Sequence, residues 1–441
     1  MTHILYCSCG QLVHVDDQED GGQSECPGCG AVVKAPASRV AKTVDWRSTG
    51  GLAVSPRVSS GAGWEGEAGA DERNHPSTPK LIAADTNPSP REYLYWGLLL
   101  ALIPLGLLTL RDRKDVSVRD RFTATMREAQ PEVKQRVERL LKTKGEQTEL
   151  DDILTLLPGG KLDTQAHLPR ETTWHWFYGA AAAIGFWSLL LLLFPREPEA
   201  PGRLLGVGLF TGTVGILLLL AVQFVADASP GLWVWPRGLP LMVVYALVLF
   251  IGWSYSSAMN PKSAFIPSFV GFTCGVGLCE EVCKALPLIL YFRHASDMGW
   301  RRACLWGLAS GAGFGVSEGI MYSSSYYNGI APLESYVVRF VSCVALHAMW
   351  SGAVGVLVWK LQKTIRGHIG WGRYGLAVLR LVAVPMVLHG FYDTILKKDL
   401  DALALIVGLL SFGWFAWQIE GAREFEQKGP DPNGTSLSVT P

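Results

Sequence analysis

Four consecutive apolar stretches of the sequence each carry residues that can do acid–base chemistry or bind a metal ion. They are Glu280, Glu281 and Lys284 in the first stretch, Glu318 in the second, His347 in the third, and His389 with Asp393 in the fourth. Ionisable residues are costly to bury in a membrane, so each is a functional-site candidate. A glutamate can act as a general base toward water, while a histidine stabilises an oxyanion or binds metal. This chemistry indicates hydrolysis, and the alternative is proton- or cation-coupled transport, which uses the same residue types.

The depth of these groups in a membrane follows from helix rise. Each stretch has a basic residue 13 or 16 positions from its acid–base residue, toward the same membrane face. The pairs are Glu280 with Arg293, Glu318 with Arg302, His347 with Lys360, and His389 with Arg373. At about 1.5 Å per residue, all four groups lie roughly 20–24 Å from the basic residues. Four antiparallel helices are therefore predicted to place their polar groups in one layer.

Helix spacing predicts which of these side chains share a face. Residues three or four apart are neighbours on a helix, so Lys284 can reach either Glu280 or Glu281. The two glutamates diverge by about 100°. We expect one of them to face the cavity while the other holds Lys284, which we take as the only cation at this depth in the four helices. Asp393, four residues after His389, is placed to fix the imidazole tautomer.

A stripe of glycines lies on the stretch that carries Glu318. Gly307, Gly311, Gly315 and Gly319 follow one another at a spacing of four residues. Small residues at this spacing let a neighbouring membrane helix approach closely. We expect the stripe to bring Glu318 near its partners.

The composition indicates a membrane protein with many spans. Of the 441 residues, 49% are hydrophobic and 18% are charged. Several runs reach the roughly 20 apolar residues that a membrane-spanning helix needs. The formal net charge is zero, so charge does not indicate a nucleic-acid partner, and we expect none. We predict an all-α polytopic protein, a bundle of about eight or nine transmembrane helices in the lipid bilayer of a bacterial-type inner membrane.

The first 36 residues carry two close cysteine pairs. Cys7 and Cys9 form the first pair, Cys26 and Cys29 the second, and each pair is followed by glycine. Four thiolates suit tetrahedral zinc, and a segment this short needs such a staple to fold. The first pair is closer together than the usual knuckle, and two disulfides or four free thiols are the alternatives. We predict a small β zinc ribbon with one structural zinc ion on these four cysteines.

The sequence divides into five regions. They are the zinc-ribbon-like segment 1–36, a disordered linker 37–90, an apolar or interfacial segment with an amphipathic polar region 91–170, the membrane domain 171–420, and a disordered tail 421–441.

Orientation is predicted from basic residues in short loops. The loops 293–302 and 360–374 are rich in lysine and arginine and should be cytoplasmic, as should the C-terminus. Nine spans would then place the zinc ribbon outside, where reduced thiols are unusual. If the first apolar segment lies in the interface or turns back at Pro104, eight spans remain. We favour that arrangement, with the zinc ribbon in the cytoplasm.

The four motif-bearing stretches resemble the PrsW family of intramembrane proteases, relatives of the type II CAAX prenyl proteases. The motifs are Glu280-Glu281-Val-Cys-Lys284, Phe314-Gly-Val-Ser-Glu318, His347-Ala-Met-Trp350-Ser351 and His389-Gly-Phe-Tyr-Asp393, in order within about residues 170–420. The resemblance implies a multi-helix peptidase that cleaves membrane-anchored proteins, with regulatory proteins such as anti-sigma factors as one substrate class. Non-catalytic scaffolds also occur among such relatives, and the intact motifs favour an enzyme.

The resemblance also assigns roles within the site. Its catalytic residues are Glu280, Glu281, Glu318, His347 and His389, and its supporting residues are Lys284, Phe314 and Asp393. The motifs leave a catalytic metal undecided, since two histidines and three glutamates can hold zinc although no HExxH motif is present. The family is often labelled metalloprotease, whereas the residues themselves slightly favour metal-free chemistry between glutamate and histidine.

Overall fold

The structure is a computed structural model, and the chain divides into two compact units, residues 1–81 and 82–441. The described residues are 2–6, 12–16, 23–25, 32–34, 90–110, 118–162, 166–193, 201–228, 238–294, 299–367, 370–398 and 400–428.

The described part of the first unit consists of two antiparallel hairpins. One pairs β1 (Thr2–Tyr6) with β2 (Leu12–Asp16), and the other pairs β3 (Gln23–Glu25) with β4 (Val32–Lys34). Cys7, Cys9, Cys26 and Cys29 lie outside the described residues. The zinc ribbon and its zinc ion therefore stay a prediction.

The described part of the second unit is helical, as predicted. Its α-helices are α1 (Pro90–Leu100), α2 (Ile103–Thr109), α3 (Val118–Glu128), α4 (Pro131–Lys144), α5 (Leu150–Leu154), α6 (Trp174–Leu193), α7 (Pro201–Phe210), α8 (Ile216–Ala228), α9 (Leu239–Met259), α10 (Phe265–Gly271), α11 (Leu278–His294), α12 (Trp300–Tyr322), α13 (Leu333–Val337), α14 (Val344–Lys360), α15 (Gln362–Arg366), α16 (Trp371–Lys397) and α17 (Asp401–Lys428). Helix α17 thus continues into the segment 421–441, which we predicted to be a disordered tail, and residues 429–441 lie outside the described part.

Four π-helical turns join or extend these helices. They are Thr211–Gly215 between α7 and α8, Phe272–Gly277 between α10 and α11, Ser323–Tyr327 after α12, and Val338–Cys343 between α13 and α14. Such turns are rare in proteins overall, and those that occur are frequently at functional sites. Three of the four lie within two helical turns of a predicted site residue. They adjoin the helices that carry Glu280, Glu318 and His347.

Seven helices of the described part are long and apolar enough to cross a membrane. They are Arg91–Thr109, Trp174–Leu192, Pro201–Ala228, Leu239–Met259, Leu333–Lys360, Gly372–Lys397 and Asp401–Gln427. Two further long helices, α10–α11 and α12 with its π turn, pack among them and carry the three glutamates. We expect these two to span as well.

The first apolar segment runs along the last helix over its whole length. Arg91 pairs with Glu420 at 3.2 Å, and a Cβ atom on Gly106 would lie 3.8 Å from Leu405. The α1–α2 segment is therefore antiparallel to α17 and does not turn back at Pro104, so the re-entrant form of the first segment, one of the two that we considered for eight spans, is wrong. The start of α1 and the end of α17 lie at the same end of the bundle.

The glycine stripe is where α12 contacts α14, and this prediction is confirmed. A Cβ atom on Gly307 or Gly311 would collide with the main-chain carbonyl of Ser351 or His347, respectively. On Gly315 it would lie 3.0 Å from the His347 ring. The absence of side chains on this face brings the two helix backbones together, and it sets the distance between Glu318 and His347.

We expect Gly311→Ala to separate α12 from α14, because the added methyl group meets a main-chain carbonyl that cannot rotate away. Overpacking of this kind costs about 1–3 kcal/mol. Thermal unfolding in detergent should show a clearly lower Tm, and cleavage activity should fall with it. Gly375→Ala on α16 is the matched control, since no atom lies within 4 Å of its added Cβ. A Gly311→Ala protein as stable as the control would contradict this account of the packing.

The polar region after α2 packs on the loop between the π turn that follows α12 and helix α13. Its small core contains Val137 and Leu154. Leu162 N donates to Gly329 O at 2.9 Å, and Gly329 N donates to Leu168 O at 2.8 Å. The amphipathic polar region that we predicted within 91–170 therefore contacts this loop through its described residues.

Candidate active site

The structure brings the predicted site residues of four helices into one buried cluster. Its members are Glu280, Glu281 and Lys284 on α11, Phe314 and Glu318 on α12, His347 on α14, and His389 with Asp393 on α16. The five predicted catalytic residues are at most 8% exposed. The sequence folds in this way because the apolar faces of these helices pack together, which leaves their polar residues in a shared layer.

Glu281 is the glutamate that holds Lys284. Lys284 Nζ donates to Glu281 Oε1 at 2.6 Å, and His389 Nδ1 lies 3.0 Å from the same oxygen. Lys284 and Glu281 are completely buried, so each needs the opposite charge of the other. This pair therefore neutralises one glutamate and also orients the imidazole of His389.

Glu280 lies between the second nitrogen of His389 and the ammonium group of Lys284, at a longer distance from each. Its Oε2 atom lies 3.7 Å from His389 Nε2 and 3.8 Å from Lys284 Nζ. Neither contact is a hydrogen bond, and Oε2 has no hydrogen-bond partner among the described residues. Asp393 Oδ2 lies 3.3 Å from the same His389 nitrogen. Glu281 Oε2 also lacks a partner, but the other oxygen of Glu281 is well satisfied.

His347 lies between a cation and a carboxylate. Its Nδ1 atom is 2.8 Å from Lys284 Nζ, and its Nε2 atom is 2.7 Å from Glu318 Oε2. Since an ammonium group only donates, Nδ1 accepts here and the ring proton is on Nε2. The short contact of Nε2 with Glu318 Oε2 does not have the angles of a hydrogen bond, because Oε2 has no hydrogen-bond partner among the described residues.

Arg339 is a member of this cluster that the sequence analysis missed. It is 8% exposed, pairs with Glu318 Oε1, and its guanidinium carbon lies 3.9 Å from the ring centre of Tyr322. Our prediction that Lys284 is the only cation at this depth is therefore wrong. Arg339 lies inside the apolar run 337–360. The argument that selected Glu280, an ionisable residue inside an apolar run, applies to it as well.

Aromatic rings enclose the polar cluster. Trp350 stacks on His389 with ring centres 4.7 Å apart, and Phe314 lies 5.6 Å from the His347 ring. The Lys284 ammonium group lies 4.8 Å from the centre of the Phe314 ring. These rings limit the orientations of both histidines and exclude water from the charged groups, which strengthens their electrostatic interactions.

The side chains of Glu280, His347 and His389 fit a metal ion. One ligand atom from each lies within 4.8 Å of the other two. Two histidines and one carboxylate, with a position left open, are a common catalytic zinc set. His389 is already arranged as a ligand, because Nδ1 faces a carboxylate and Nε2 faces the cluster. His347 can use Nε2 as a ligand only once Nδ1 carries the proton, which requires Lys284 to release its hydrogen bond.

The comparisons with known proteins agree with this geometry. No curated protein and no solved structure matches the chain. Residues 234–417 match the sequence model of the PrsW family intramembrane metalloprotease, and this range contains all four motifs. The match makes the chain a peptidase and, together with its apolar helices, a multi-pass membrane protein. Residues 234–417 are therefore a PrsW family intramembrane metalloprotease domain.

Proposed function

We propose that the buried cluster hydrolyses peptide bonds of membrane-anchored proteins and that Glu280, His347 and His389 hold a catalytic metal ion. The observation that carries the proposal is the buried Glu280 Oε2 atom, which faces His389 and has no hydrogen-bond partner in the described part of the chain. A charged oxygen in this position is costly unless a cation or a proton joins it. A divalent ion held there supplies Lewis acidity and activates water.

The remaining residues orient the ligands and move protons. Glu281 holds His389 through Nδ1 and takes up the charge of Lys284. Glu318, which lies 2.7 Å from His347, can accept the proton of the attacking water and return it to the amine that leaves the substrate. The aromatic rings around the histidines keep bulk water from this exchange.

One contact favours a second mechanism, in which the same residues act without metal. The hydrogen bond from Lys284 to His347 Nδ1 occupies the proton position that a metal-binding His347 would need for itself. In that case Glu280 is the general base toward water, and the protonated His347 stabilises the oxyanion. The sequence analysis leaned to this alternative. The description of the matched family and the fit of the three ligands support the metal.

Neither earlier alternative to a peptidase is supported by the family match. A transporter or a non-catalytic scaffold would not cleave, whereas the matched domain is described as a metalloprotease. The substrate class stays part of the proposal. Membrane-anchored regulatory proteins, single-span proteins among them, are the candidates, because a site in the membrane layer is open only to peptide bonds that enter it.

We expect a chelator to abolish cleavage and added Zn²⁺ to restore it. The N-terminal cysteines can also bind zinc, so the assay should use a chain with Cys7, Cys9, Cys26 and Cys29 replaced by serine. That protein should contain about one metal ion per chain, and its His389→Ala derivative should contain none, since three protein ligands are the usual minimum at a catalytic site. Full activity after chelation, with no metal in either protein, would favour the metal-free mechanism.

A further inference from the structure

Arg339 holds the oxygen of Glu318 that His347 does not contact. The guanidinium group pairs with Glu318 Oε1, while Glu318 Oε2 lies 2.7 Å from His347 Nε2. Both side chains of the ion pair are about 10% exposed. One buried carboxylate therefore connects an arginine on one side with a proposed catalytic histidine on the other.

The orientation of Arg339 is itself fixed by neighbouring groups. Its guanidinium group lies against the Tyr322 ring, one turn after Glu318 on the same helix. Its backbone belongs to the π-helical turn Val338–Cys343, four residues before the turn of α14 that carries His347. Because a π turn rotates the residues that precede it relative to those that follow, Arg339 and His347 both reach Glu318 from a single helix.

The balance of charge gives the pair its importance. Lys284 already neutralises Glu281 at 2.6 Å, so it does not supply a second full charge for Glu318. Without Arg339, no cation would hold Glu318 Oε1, and the carboxylate could rotate away from His347 Nε2.

We propose that Arg339 is a positioning residue for the cleavage reaction, which holds the Glu318 carboxylate in place beside His347. The inference rests on the proposed function, because that function assigns Glu318 the acceptance and return of a proton. Arg339 itself is not expected to touch the substrate, since its charge is directed at Glu318 and at the Tyr322 ring.

The test compares Arg339→Met, Arg339→Lys and wild type, purified and reconstituted with single-span membrane proteins tagged at both ends. We expect kcat to fall about 10- to 100-fold in Arg339→Met, the effect typical of losing a residue that orients a ligand or catalytic group. KM should stay within about twofold of wild type. Arg339→Lys should recover most of kcat, because a lysine still offers Glu318 a cation. Arg380→Met on α16, an exposed arginine, is the control and should match wild type.

The outcomes separate this inference from the proposed function. Cleavage by wild type with unchanged kcat in Arg339→Met overturns the role of Arg339 and leaves the proposed function standing. A raised KM with unchanged kcat assigns Arg339 to substrate binding instead. If Arg339→Met does not fold, Arg339→Lys alone is measured. A folded Arg339→Lys whose kcat is about 10- to 100-fold below that of wild type overturns the role of the charge. Absence of cleavage by wild type overturns the proposed function, and this role with it.

Discussion

Replacing Glu280 with glutamine is expected to lower kcat for cleavage by about 10²- to 10⁴-fold, the usual contribution of a general acid or base. Glutamine keeps the volume and the burial of the side chain but removes its charge and its capacity to accept a proton. In the metal mechanism it also replaces an anionic ligand with a neutral amide. The loss should therefore appear under both mechanisms that we consider.

The stability of the Glu280→Gln protein should not fall in parallel. Glu280 is 4% exposed, and its Oε2 atom has no hydrogen-bond partner among the described residues. In the metal-free protein, removing a buried charge in this environment relieves a cost, so the Tm of that form should be unchanged or higher. A substitution that lowers activity without lowering stability identifies a functional carboxylate, because loss of a structural carboxylate would lower stability as well.

Two comparisons make the Glu280 result informative. Glu92→Gln, an exposed glutamate in the first turn of α1, should cleave at the wild-type rate. Metal content separates the mechanisms, because only a ligand substitution removes the ion from the chain that lacks the four N-terminal cysteines. Wild-type activity in Glu280→Gln would contradict the proposal, and in the Glu280→Gln, Glu281→Gln double variant it would exclude a glutamate-dependent mechanism altogether.

The common layer of the site could be predicted because it depends on helix periodicity alone. Each acid–base residue lies at a set number of residues from a basic loop, and helix rise converts that number directly into depth. The glycine stripe adds the lateral dimension, since small residues at a spacing of four identify the face on which two backbones meet. Both signals are local in the sequence, and both are present in the structure.

The division of roles between Glu280 and Glu281 could not be predicted. Helix phase shows only that the two side chains diverge, and Lys284 is within reach of both. The choice depends on His389, whose Nδ1 atom lies 3.0 Å from Glu281 Oε1. That contact joins residues more than one hundred positions apart, and it depends on how α16 is rotated against α11, for which the sequence offers no direct signal.

Whether the first helix turns back at Pro104 could not be predicted for a related reason. We considered that path, or a place in the membrane interface, because proline disrupts a helix interior and either arrangement leaves eight spans. In the structure Pro104 lies at the start of α2, where a proline is well tolerated. The helix then continues along α17, and Ser342 accepts from Leu105 N at 3.2 Å. Contacts with a helix three hundred residues away thus decide whether this segment spans.

Lys284→Met is expected to have the second large effect, on stability as well as on activity. Lys284 is completely buried, and its ammonium group contacts Glu281 at 2.6 Å and His347 at 2.8 Å. Methionine fills a similar volume without a charge, so it leaves Glu281 buried and uncompensated. Removing one partner of a buried ion pair costs about 3–5 kcal/mol. Thermal or denaturant unfolding in detergent should show a loss of this size.

Cleavage by the Lys284→Met protein should fall by about 10- to 100-fold at a temperature where it remains folded. His347 loses the ammonium group that it contacts, and Glu281, which contacts His389, loses the lysine that orients it. The double variant Lys284→Met, Glu281→Gln separates the two effects. It removes both charges, so stability should recover in large part. Activity should not recover, since His389 then lacks the carboxylate at its Nδ1 atom. Lys363→Met, an exposed lysine of α15, is the control for the loss of a positive charge. A double variant that regains activity together with stability would mean that the pair only holds the bundle together, and Glu280 with the two histidines would then suffice for the chemistry.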